Sequence, residues 1–287
     1  MKPAVLIFGY GFIGAAFAAE VRQAGYDTLA TARTSDKRDQ LAAQGIRAVD
    51  PLDPQALGNA VANAAALLIT PAPDDTGCPA FASLAPILAT AATKWIAYLS
   101  TTGVYGNRNG GWVWEDSDLR PGSVEGSRRV QAERQWQSLG QHRINVFRLP
   151  GLYGPGRNVI ERLRDGTARR IRKPGHVFSR LHHEDCGTAL LAGLQRQSHS
   201  VFNLCDDEPA PADVVLAHAA SLTGLPLPPE IAWDDPALSP MTRRFYADNK
   251  RVSNARAKAI LGWQPAYPTY RDGLSALWQA MQDIKSA

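Results

Sequence analysis

Short apolar runs of β type alternate with Ala-rich helical patterns along the first half of the chain. Alternation at this spacing predicts βαβ units, in which helices join parallel strands and cover both faces of one sheet. The runs are almost wholly apolar, as expected of strands that are buried on both faces. The predicted strands are residues 4–8, 27–32, 46–49, 66–70 and 95–99, and the predicted helices are residues 12–24, 35–44, 54–64 and 79–93.

The second half of the chain is less regular. A sixth strand is predicted at 143–149, after a helix at 125–139, and the run VFNL at 201–204 indicates a further strand that returns to the sheet. We therefore predict an α/β fold, a Rossmann doubly wound parallel sheet with a smaller C-terminal domain. The predicted boundaries are 1–155 for the dinucleotide-binding domain, with the return strand near 200–205, and 156–287 for a mainly substrate-binding domain.

Composition excludes several other classes of protein. The chain has 287 residues, of which 45% are hydrophobic, and a net charge of +4, which permits acidic ligands without requiring nucleic acid. The first apolar run is too short for a signal peptide, and no stretch approaches the roughly 20 apolar residues of a membrane span. We expect a cytoplasmic protein that binds a small-molecule substrate, with no nucleic-acid or membrane partner.

The cysteines and histidines do not predict a metal site. Cys78, Cys186 and Cys205 are far apart and form no CxxC motif, so reduced core residues are expected. His182 and His183 precede two acidic residues, but adjacent side chains on a strand point in different directions. For a basic run at 162–173 the alternatives are a solvated face, a clamp for an anionic substrate such as a phosphate or carboxylate, and a contact with nucleic acid.

A glycine-rich loop follows the first predicted strand. The run AVLIF leads directly into GYGFIG, so that Gly9, Gly11 and Gly14 form a G-x-G-x-x-G motif at the start of a predicted helix. In this context the first glycine permits a tight turn, the second lets the backbone approach a pyrophosphate, and the third lets the helix pack on the strand. The free N–H groups of the helix would face the anion. The loop predicts dinucleotide binding.

The end of the second strand favours NADP over NAD. An NAD-binding fold carries Asp or Glu there to bind the ribose 2′-hydroxyl, but this chain has Ala32, followed by Arg33 and later Arg38. A guanidinium suits the 2′-phosphate of NADP because it binds two phosphate oxygens at once. The alternative is that Arg33 is simply an exposed side chain and that the cofactor is NAD.

Four further segments of the chain resemble motifs of a known protein superfamily. The chain contains LSTTGVYG at 99–106, FRLPGLYGPGR at 147–157, SRLHHEDCGTAL at 179–190, and NKRVSNARAKAILGWQPAYPTYRDGL at 249–274. In this order they resemble the extended short-chain dehydrogenase/reductase superfamily, specifically its NAD-dependent epimerase/dehydratase group. The resemblance covers nearly the whole chain. It implies a Rossmann fold with a C-terminal substrate domain, and a homodimer is also common in this family.

The resemblance also implies site residues. Thr101 matches the Ser or Thr that hydrogen-bonds the reacting oxygen of the substrate, and Leu149, Pro150 and Leu152 match the segment beside the nicotinamide. Tyr105 belongs to the VYG motif, where a structural role is the alternative. The predicted substrate-binding set is Thr102, Tyr105, Tyr153, Arg180 and His182. The rest of the predicted cofactor site is Gly9, Tyr10, Gly11, Phe12, Ile13, Gly14, Arg33, Leu52, Thr70 and Pro71.

The helix at 125–139 departs from the family pattern. The family keeps a Tyr-x-x-x-Lys proton relay there, followed four residues later by an Ala–Glu pair. Ala132 and Glu133 match that pair, so the relay positions hold Glu125 and Arg129. The glycine loop also differs from the usual G-x-x-G-x-x-G. These departures resemble the atypical members of the superfamily, whose functions are mostly undefined.

Two interpretations of Glu125 and Arg129 follow. They are spaced i,i+4, as are Arg129 and Glu133, so both pairs could be ion pairs on an exposed helix. Alternatively, Glu125 and Arg129 replace the relay, and the chain is an NADP(H)-dependent oxidoreductase or epimerase-like enzyme for a small polar substrate, sugar-like or acidic. The competing hypothesis is a non-catalytic NADP(H)-binding sensor or scaffold protein.

Overall fold

The computed structural model describes residues 2–286. Its centre is a parallel sheet of seven strands in the order β11-β7-β5-β4-β1-β2-β3, which confirms the predicted Rossmann-like α/β fold. The strands of the whole structure are β1 (Ala4–Phe8), β2 (Asp27–Thr31), β3 (Arg47–Val49), β4 (Ala64–Ile69), β5 (Trp95–Thr101), β6 (Trp112–Val113), β7 (Arg143–Leu149), β8 (Gly151–Tyr153), β9 (Arg170–Arg172), β10 (Arg180–His182), β11 (Val201–Asn203), β12 (Glu230–Ala232) and β13 (Arg251–Val252).

Helices cover both faces of this sheet and form the C-terminal part of the molecule. Most predicted helices begin and end within one or two residues of their predicted bounds, but α4 ends five residues early because the chain must turn before β5. The helices are α1 (Phe12–Gln23), α2 (Ser35–Ala43), α3 (Pro54–Asn63), α4 (Pro79–Leu88), α5 (Val124–Gln137), α6 (Val159–Arg164), α7 (His183–Gln195), α8 (Ala212–Thr223), α9 (Pro240–Phe245), α10 (Ala255–Leu261) and α11 (Tyr270–Ser286).

The alternation of side chains along β5 divides the core between the two faces of the sheet. Trp95 and Leu99 pack with Phe17 of α1 on one face, whereas Tyr98 packs with Trp136 of α5 on the other. All five residues are at least 95% buried. Burial of side chains this large contributes roughly 1.5–3 kcal/mol each. The two faces therefore hold β5, whose carboxyl end carries Thr101, firmly between α1 and α5.

The C-terminal part has a smaller core and three pairs of short parallel strands. The pairs are β8 with β10, β9 with β12, and β6 with β13. Tyr153 of β8 packs into a third apolar cluster with residues of α6, α8 and α11. The strand β11 joins the main sheet beside β7, near the position predicted for a return strand. The division into two domains at residue 155 stays a prediction.

No helix in residues 2–286 is both long enough and apolar enough to cross a membrane.

Candidate functional site

The glycine loop lies where β1 ends, and two neighbouring strands hold it. Gly9 has a φ of +88°, a conformation that L side chains rarely adopt. Its N–H donates to Thr31 Oγ1 at 3.0 Å, and its carbonyl oxygen accepts from the Thr70 hydroxyl at 2.6 Å. A Cβ on Gly9 would stand 2.6 Å from Thr70 Oγ1 and 3.1 Å from the Pro71 ring. The predicted residues Thr70 and Pro71 thus border the loop directly.

Gly11 leaves an open cradle at the start of α1. Its φ of −121° is one that any residue adopts, and a Cβ built on it would meet nothing within 4 Å. No side chain caps α1, so the N–H groups of its first turn are free to bind an anion. The space around Gly14 is small instead, because a Cβ built on it would lie 3.1 Å from Ile7 Cγ2. These features fit a dinucleotide pyrophosphate.

Aromatic side chains flank this loop. Tyr10 packs against the small cluster between β2 and α2, and Ile13 is buried in the core. The Phe12 ring stacks on His183 with centroids 5.1 Å apart, and the Arg157 guanidinium lies 5.8 Å from the Phe12 ring centroid. His183 and Arg157 were absent from the predicted cofactor site, because only the fold brings them to the loop.

Two arginines lie near the end of β2, and only the guanidinium of Arg38 is bound to other residues of the chain. Arg38 donates to Ala32 O at 2.9 Å and pairs with Asp50 at 3.2 Å, so it closes the end of β2 against β3. The Arg33 side chain is exposed and makes no hydrogen bond or ion pair with any described residue, although the Arg33 carbonyl oxygen accepts a hydrogen bond from Arg38 Nη1 at 3.1 Å. Leu52 is also exposed, just beyond Asp50. Arg33 is therefore the cation available to a ligand at this edge.

Thr101 is the last residue of β5 and caps the 3₁₀ helix formed by residues 102–105. Its hydroxyl oxygen accepts a hydrogen bond from Gly103 N at 3.1 Å, and the residue is partly exposed. Since the backbone uses only an acceptor site, the O–H of Thr101 can still donate. Thr102 is buried beside it.

The Arg129 side chain lies against the end of β5, whereas the Glu125 side chain is exposed to solvent. The Arg129 guanidinium donates to Leu99 O and, at 3.1 Å, to the Tyr98 hydroxyl. Burial raises the pKa of Tyr98 to about 12, which keeps this phenol protonated. Glu125 is exposed and makes no ion pair with Arg129 in the described structure. The expected i,i+4 ion pair of the two residues is thus absent from the part of the chain described.

Glu133 is not on an exposed helix face, so its predicted pairing with Arg129 is wrong. Its side chain is 2% exposed and accepts two hydrogen bonds from Arg148, at 3.1 Å and 2.8 Å. It also accepts a hydrogen bond from the Ser100 hydroxyl at 2.5 Å. Glu133 faces the sheet because α5 packs this side of its surface onto β5 and β7. The carboxylate thereby ties α5 to the residue preceding Thr101.

Tyr105 belongs to the same buried network. Arg148 donates to its hydroxyl oxygen at 2.8 Å, and that hydroxyl donates to Asn203 Oδ1 at 2.7 Å. The residue is fully buried, and burial raises its pKa. Both bonds bridge β7 and β11 to the VYG segment. We therefore assign Tyr105 a structural role and remove it from the proposed substrate-binding set.

The segment after β7 passes from the sheet to the C-terminal part. Leu149 is buried at the end of β7, and Pro150 follows it at the sheet edge. Leu152 packs against the core on the α1 face, whereas Tyr153 points to the opposite side. Leu152 therefore faces the half of the molecule that carries the glycine loop.

Tyr153 and His182 are paired in register on β8 and β10. Their rings meet edge to face at 5.2 Å. His182 is 2% exposed, and burial together with neighbouring His183 lowers its pKa to about 4. A neutral buried imidazole is therefore expected at pH 7. Arg180, on the same strand, donates to Phe178 O at 2.8 Å and Ala210 O at 2.9 Å.

One Tyr-x-x-x-Lys spacing does occur in the chain, at Tyr246–Lys250, but not on α5. Tyr246 directly follows α9, and its hydroxyl donates to Ile171 O at 3.4 Å. The Lys250 ammonium donates to Gly106 O at 3.0 Å and pairs with Asp248 at 3.1 Å. These bonds hold the loop after the VYG segment, so the spacing serves a structural role here.

No group of three or more His, Cys, Asp or Glu side chains that could hold a metal ion occurs among residues 2–286. The three cysteines are buried and free.

No family model matches the chain. A solved structure from Silicibacter pomeroyi, described as a functionally unknown conserved protein, is 42% identical over 97% of this chain and 99% of that chain, with a TM-score of 0.91. The chain belongs to the same family as this Silicibacter pomeroyi protein.

More distant structures share only the fold. The dTDP-glucose 4,6-dehydratase from Bacillus anthracis, solved in complex with NAD, is 17% identical over 99% of this chain and 98% of that chain, with a TM-score of 0.79. The fold of this family is therefore that of the epimerase/dehydratase proteins.

One curated relative has a stated activity. A 3-diazoavenalumate denitrifying reductase from Streptomyces is 34% identical over 45% of this chain and 45% of that protein. The match thus spans less than half the length of the relative.

Asp206, which follows β11 in this family member, has an unusual environment. It is 2% exposed, and neither carboxylate oxygen has a hydrogen-bond partner among the described residues. Burial raises its pKa to about 8, against a smaller opposing effect of the Arg180 charge. The unfolded chain releases this proton near pH 4. The stability contributed by protonated Asp206 is therefore present below about pH 4 and is lost as pH rises to about 8.

Asp206→Asn is expected to remove this pH dependence. The variant should gain stability relative to the parent protein as pH rises, by about 2 kcal/mol between about pH 6 and pH 8. Urea unfolding of both proteins across this range measures the difference in free energy. A difference that stays constant with pH would show that Asp206 does not bind its proton more tightly in the folded state.

Proposed function

We propose that this chain is an NADP(H)-dependent oxidoreductase or epimerase-like enzyme that acts on a small polar substrate, sugar-like or acidic. The open cradle at Gly11, in front of the uncapped N-terminus of α1, is the observation that carries the proposal. The printed activity of the Streptomyces relative, a reductase, supports the same reaction class.

Particular residues would hold the cofactor. Gly11 and the first turn of α1 would bind the pyrophosphate, and Arg33 would bind the 2′-phosphate of NADP. Leu149, Pro150 and Leu152 would lie beside the nicotinamide, as the family resemblance implies. When bound, the cofactor would supply hydride transfer to or from the substrate.

Thr101 and Arg129 would act on the substrate. The O–H of Thr101 remains free to donate to a substrate oxygen, because its backbone bond uses only an acceptor site. Arg129 would hold positive charge beside that oxygen, since a guanidinium stays protonated and polarises rather than transfers a proton. Glu125 is exposed and would accept a hydrogen bond from a substrate hydroxyl or amine.

The experiment that tests this function is a survey of substrates. NADPH absorbance would be followed with a panel of aldehydes, ketones and keto-acids at saturating cofactor. We expect at least one compound to oxidise NADPH, and Thr101→Ala to slow that reaction. If NADPH binds but no compound is turned over, the enzyme proposal fails.

One observation favours a second candidate function, a non-catalytic NADP(H)-binding sensor or scaffold protein. The Arg129 guanidinium is already bound to Leu99 O and Tyr98, and position 125 carries no proton-donating phenol. The substrate survey distinguishes the two functions, because a sensor binds the cofactor without turnover.

Cofactor choice is tested at Arg33. Arg33→Asp should weaken NADPH binding about tenfold or more, because a charge-assisted hydrogen bond contributes about 1.5–3 kcal/mol. NADH lacks the 2′-phosphate, so its binding should change much less. Arg134→Asp, on the exposed side of α5, changes the net charge equally and serves as the control. Equal losses for both cofactors in a calorimetric titration would contradict NADP specificity and leave NAD as the cofactor.

A further inference from the structure

The predicted cofactor residues include no cation for the pyrophosphate. Arg33 is the one charged residue among them, and it lies just beyond β2, where the ribose 2′-phosphate is expected. The cradle at Gly11 offers N–H groups of the first turn of α1, which are dipoles without a net charge. Each phosphate of a dinucleotide pyrophosphate carries a negative charge, so a guanidinium nearby would add a charge-assisted hydrogen bond.

A tight turn after β8 carries a candidate for this cation, Arg157. The N–H group of Gly154 donates to Arg157 O, and the N–H group of Arg157 donates to Gly154 O, at 3.1 Å each. Asn158 Nδ2 donates to Gly154 O at 2.9 Å, and Gly156 N donates to Glu161 Oε1 at 3.0 Å. These bonds hold the backbone of Arg157 in place and leave its side chain out of the turn.

Gly154 lets this turn approach the glycine loop closely. A Cβ built on Gly154 would lie 2.4 Å from His183 Nδ1, too close for any side chain to be accepted without a shift. His183 in turn stacks on Phe12, which directly follows Gly11 at the start of α1. The contacts from Gly154 through His183 to Phe12 therefore set the position of the turn beside the cradle.

The guanidinium of Arg157 is available to a ligand at this place. It lies 5.8 Å from the Phe12 ring centroid, and it makes no hydrogen bond or ion pair with any residue from 2 to 286. The residue is exposed. Because a cation–π contact at an exposed site is weak, the guanidinium can leave the ring for a stronger charge-assisted hydrogen bond to a phosphate.

We propose that Arg157 binds the pyrophosphate of the cofactor beside the first turn of α1. The proposal rests on the proposed function and deepens it, because it adds a cation to the same cofactor site. The N–H groups after Gly11 orient the pyrophosphate, and the Arg157 guanidinium neutralises part of its charge. Gly154 and His183 are positioning residues, since they act through the turn and through Phe12.

Two nucleotides that differ in the pyrophosphate test the proposal. The probes are 2′-phospho-ADP-ribose, which contains the pyrophosphate, and adenosine 2′-monophosphate, which lacks it. Both compete with NADPH in a fluorescence titration of the full chain, so no turnover is needed. Arg157→Met should raise the dissociation constants of NADPH and of 2′-phospho-ADP-ribose about tenfold, and that of adenosine 2′-monophosphate less than about twofold.

Matched variants separate the charge of Arg157 from the structure of the turn. Arg157→Lys keeps the charge but cannot bind two phosphate oxygens at once, so its loss should be smaller, about threefold. Arg164→Met removes the same charge from an exposed position of α6 and should change none of the dissociation constants. Gly154→Ala keeps Arg157 but displaces the turn from His183, so it should weaken binding of the same probes as Arg157→Met does.

Unchanged affinity for NADPH in Arg157→Met, or an equal loss for adenosine 2′-monophosphate, would overturn the proposal. The first result would leave the guanidinium to a cavity of 520 Å³ in the C-terminal part, which Arg157 also lines. The second would indicate a general disturbance of the loop. If the parent protein itself binds no NADPH, the proposed function fails, and that result differs from tight binding that survives the loss of Arg157.

Discussion

Replacement of Glu133 by Ala is expected to lower the free energy of unfolding by about 3–5 kcal/mol. The Glu133 carboxylate accepts two hydrogen bonds from Arg148 and one from Ser100, and both charged side chains are at most 5% exposed. Without Glu133, the Arg148 guanidinium would be left buried with too few partners. The cost of that unpaired charge dominates the expected loss. Urea unfolding monitored by circular dichroism measures it.

Two further variants distinguish the loss of the Glu133–Arg148 ion pair from the effect of any substitution on α5. Glu125→Ala, also on α5 but exposed, should change stability by less than about 0.5 kcal/mol. The double variant Glu133→Leu with Arg148→Met removes both charges and should be more stable than Glu133→Ala. If Glu133→Ala loses less than about 1 kcal/mol, the buried ion pair is not what fixes α5 to β5.

Replacement of Gly11 by Ala is expected to abolish cofactor binding without affecting stability. The Gly11 backbone conformation accepts a side chain, and a Cβ there meets no protein atom within 4 Å. The same methyl would occupy the space through which a pyrophosphate approaches the backbone. We expect the dissociation constant for NADPH to rise more than about 100-fold, with an unchanged melting temperature.

Gly9→Ala provides the contrast. The φ of +88° and the contact with Thr70 Oγ1 at 2.6 Å make a side chain at this position strained, so Gly9→Ala should lose stability as well as cofactor. Fluorescence titration with NADPH and thermal unfolding, applied to both variants, separate the two effects. Tight NADPH binding by Gly11→Ala would show that the cradle is not the cofactor site.

The sequence predicts the sheet well because the signal is local and repeated. Each apolar run, such as 4–8 or 143–149, is followed or preceded by a helical pattern, and parallel strands need such connections. The glycine loop is also predictable, since the positions of Gly9, Gly11 and Gly14 relative to β1 and α1 are read directly from the chain.

The helix α5 shows where such prediction fails. The i,i+4 spacing of Arg129 and Glu133 is compatible with an exposed ion pair, but spacing does not say which side of a helix packs on the sheet. The partner of Glu133 is Arg148, which is 15 residues away and on a neighbouring strand of the sheet. The structural role of Tyr105 could not be predicted for the same reason, because Asn203, which accepts the hydrogen bond of its hydroxyl, is 98 residues away in sequence.

The buried tyrosines of the C-terminal part could not be predicted from local pattern either. Tyr153 and Tyr270 are more than 100 residues apart in sequence, yet both belong to the third apolar cluster, and neither hydroxyl has a hydrogen-bond partner among the described residues. Nothing in the sequence near either residue indicates burial without a partner, because burial of a hydroxyl depends on segments that only the fold brings together.

A crystal structure of the protein with NADPH bound tests the central proposal most directly. We expect the pyrophosphate in the cradle at Gly11, the 2′-phosphate beside Arg33, and the nicotinamide between Leu152 and Thr101. A glycine loop without cofactor at saturating NADPH, or a cofactor bound elsewhere on the molecule, would contradict the proposal.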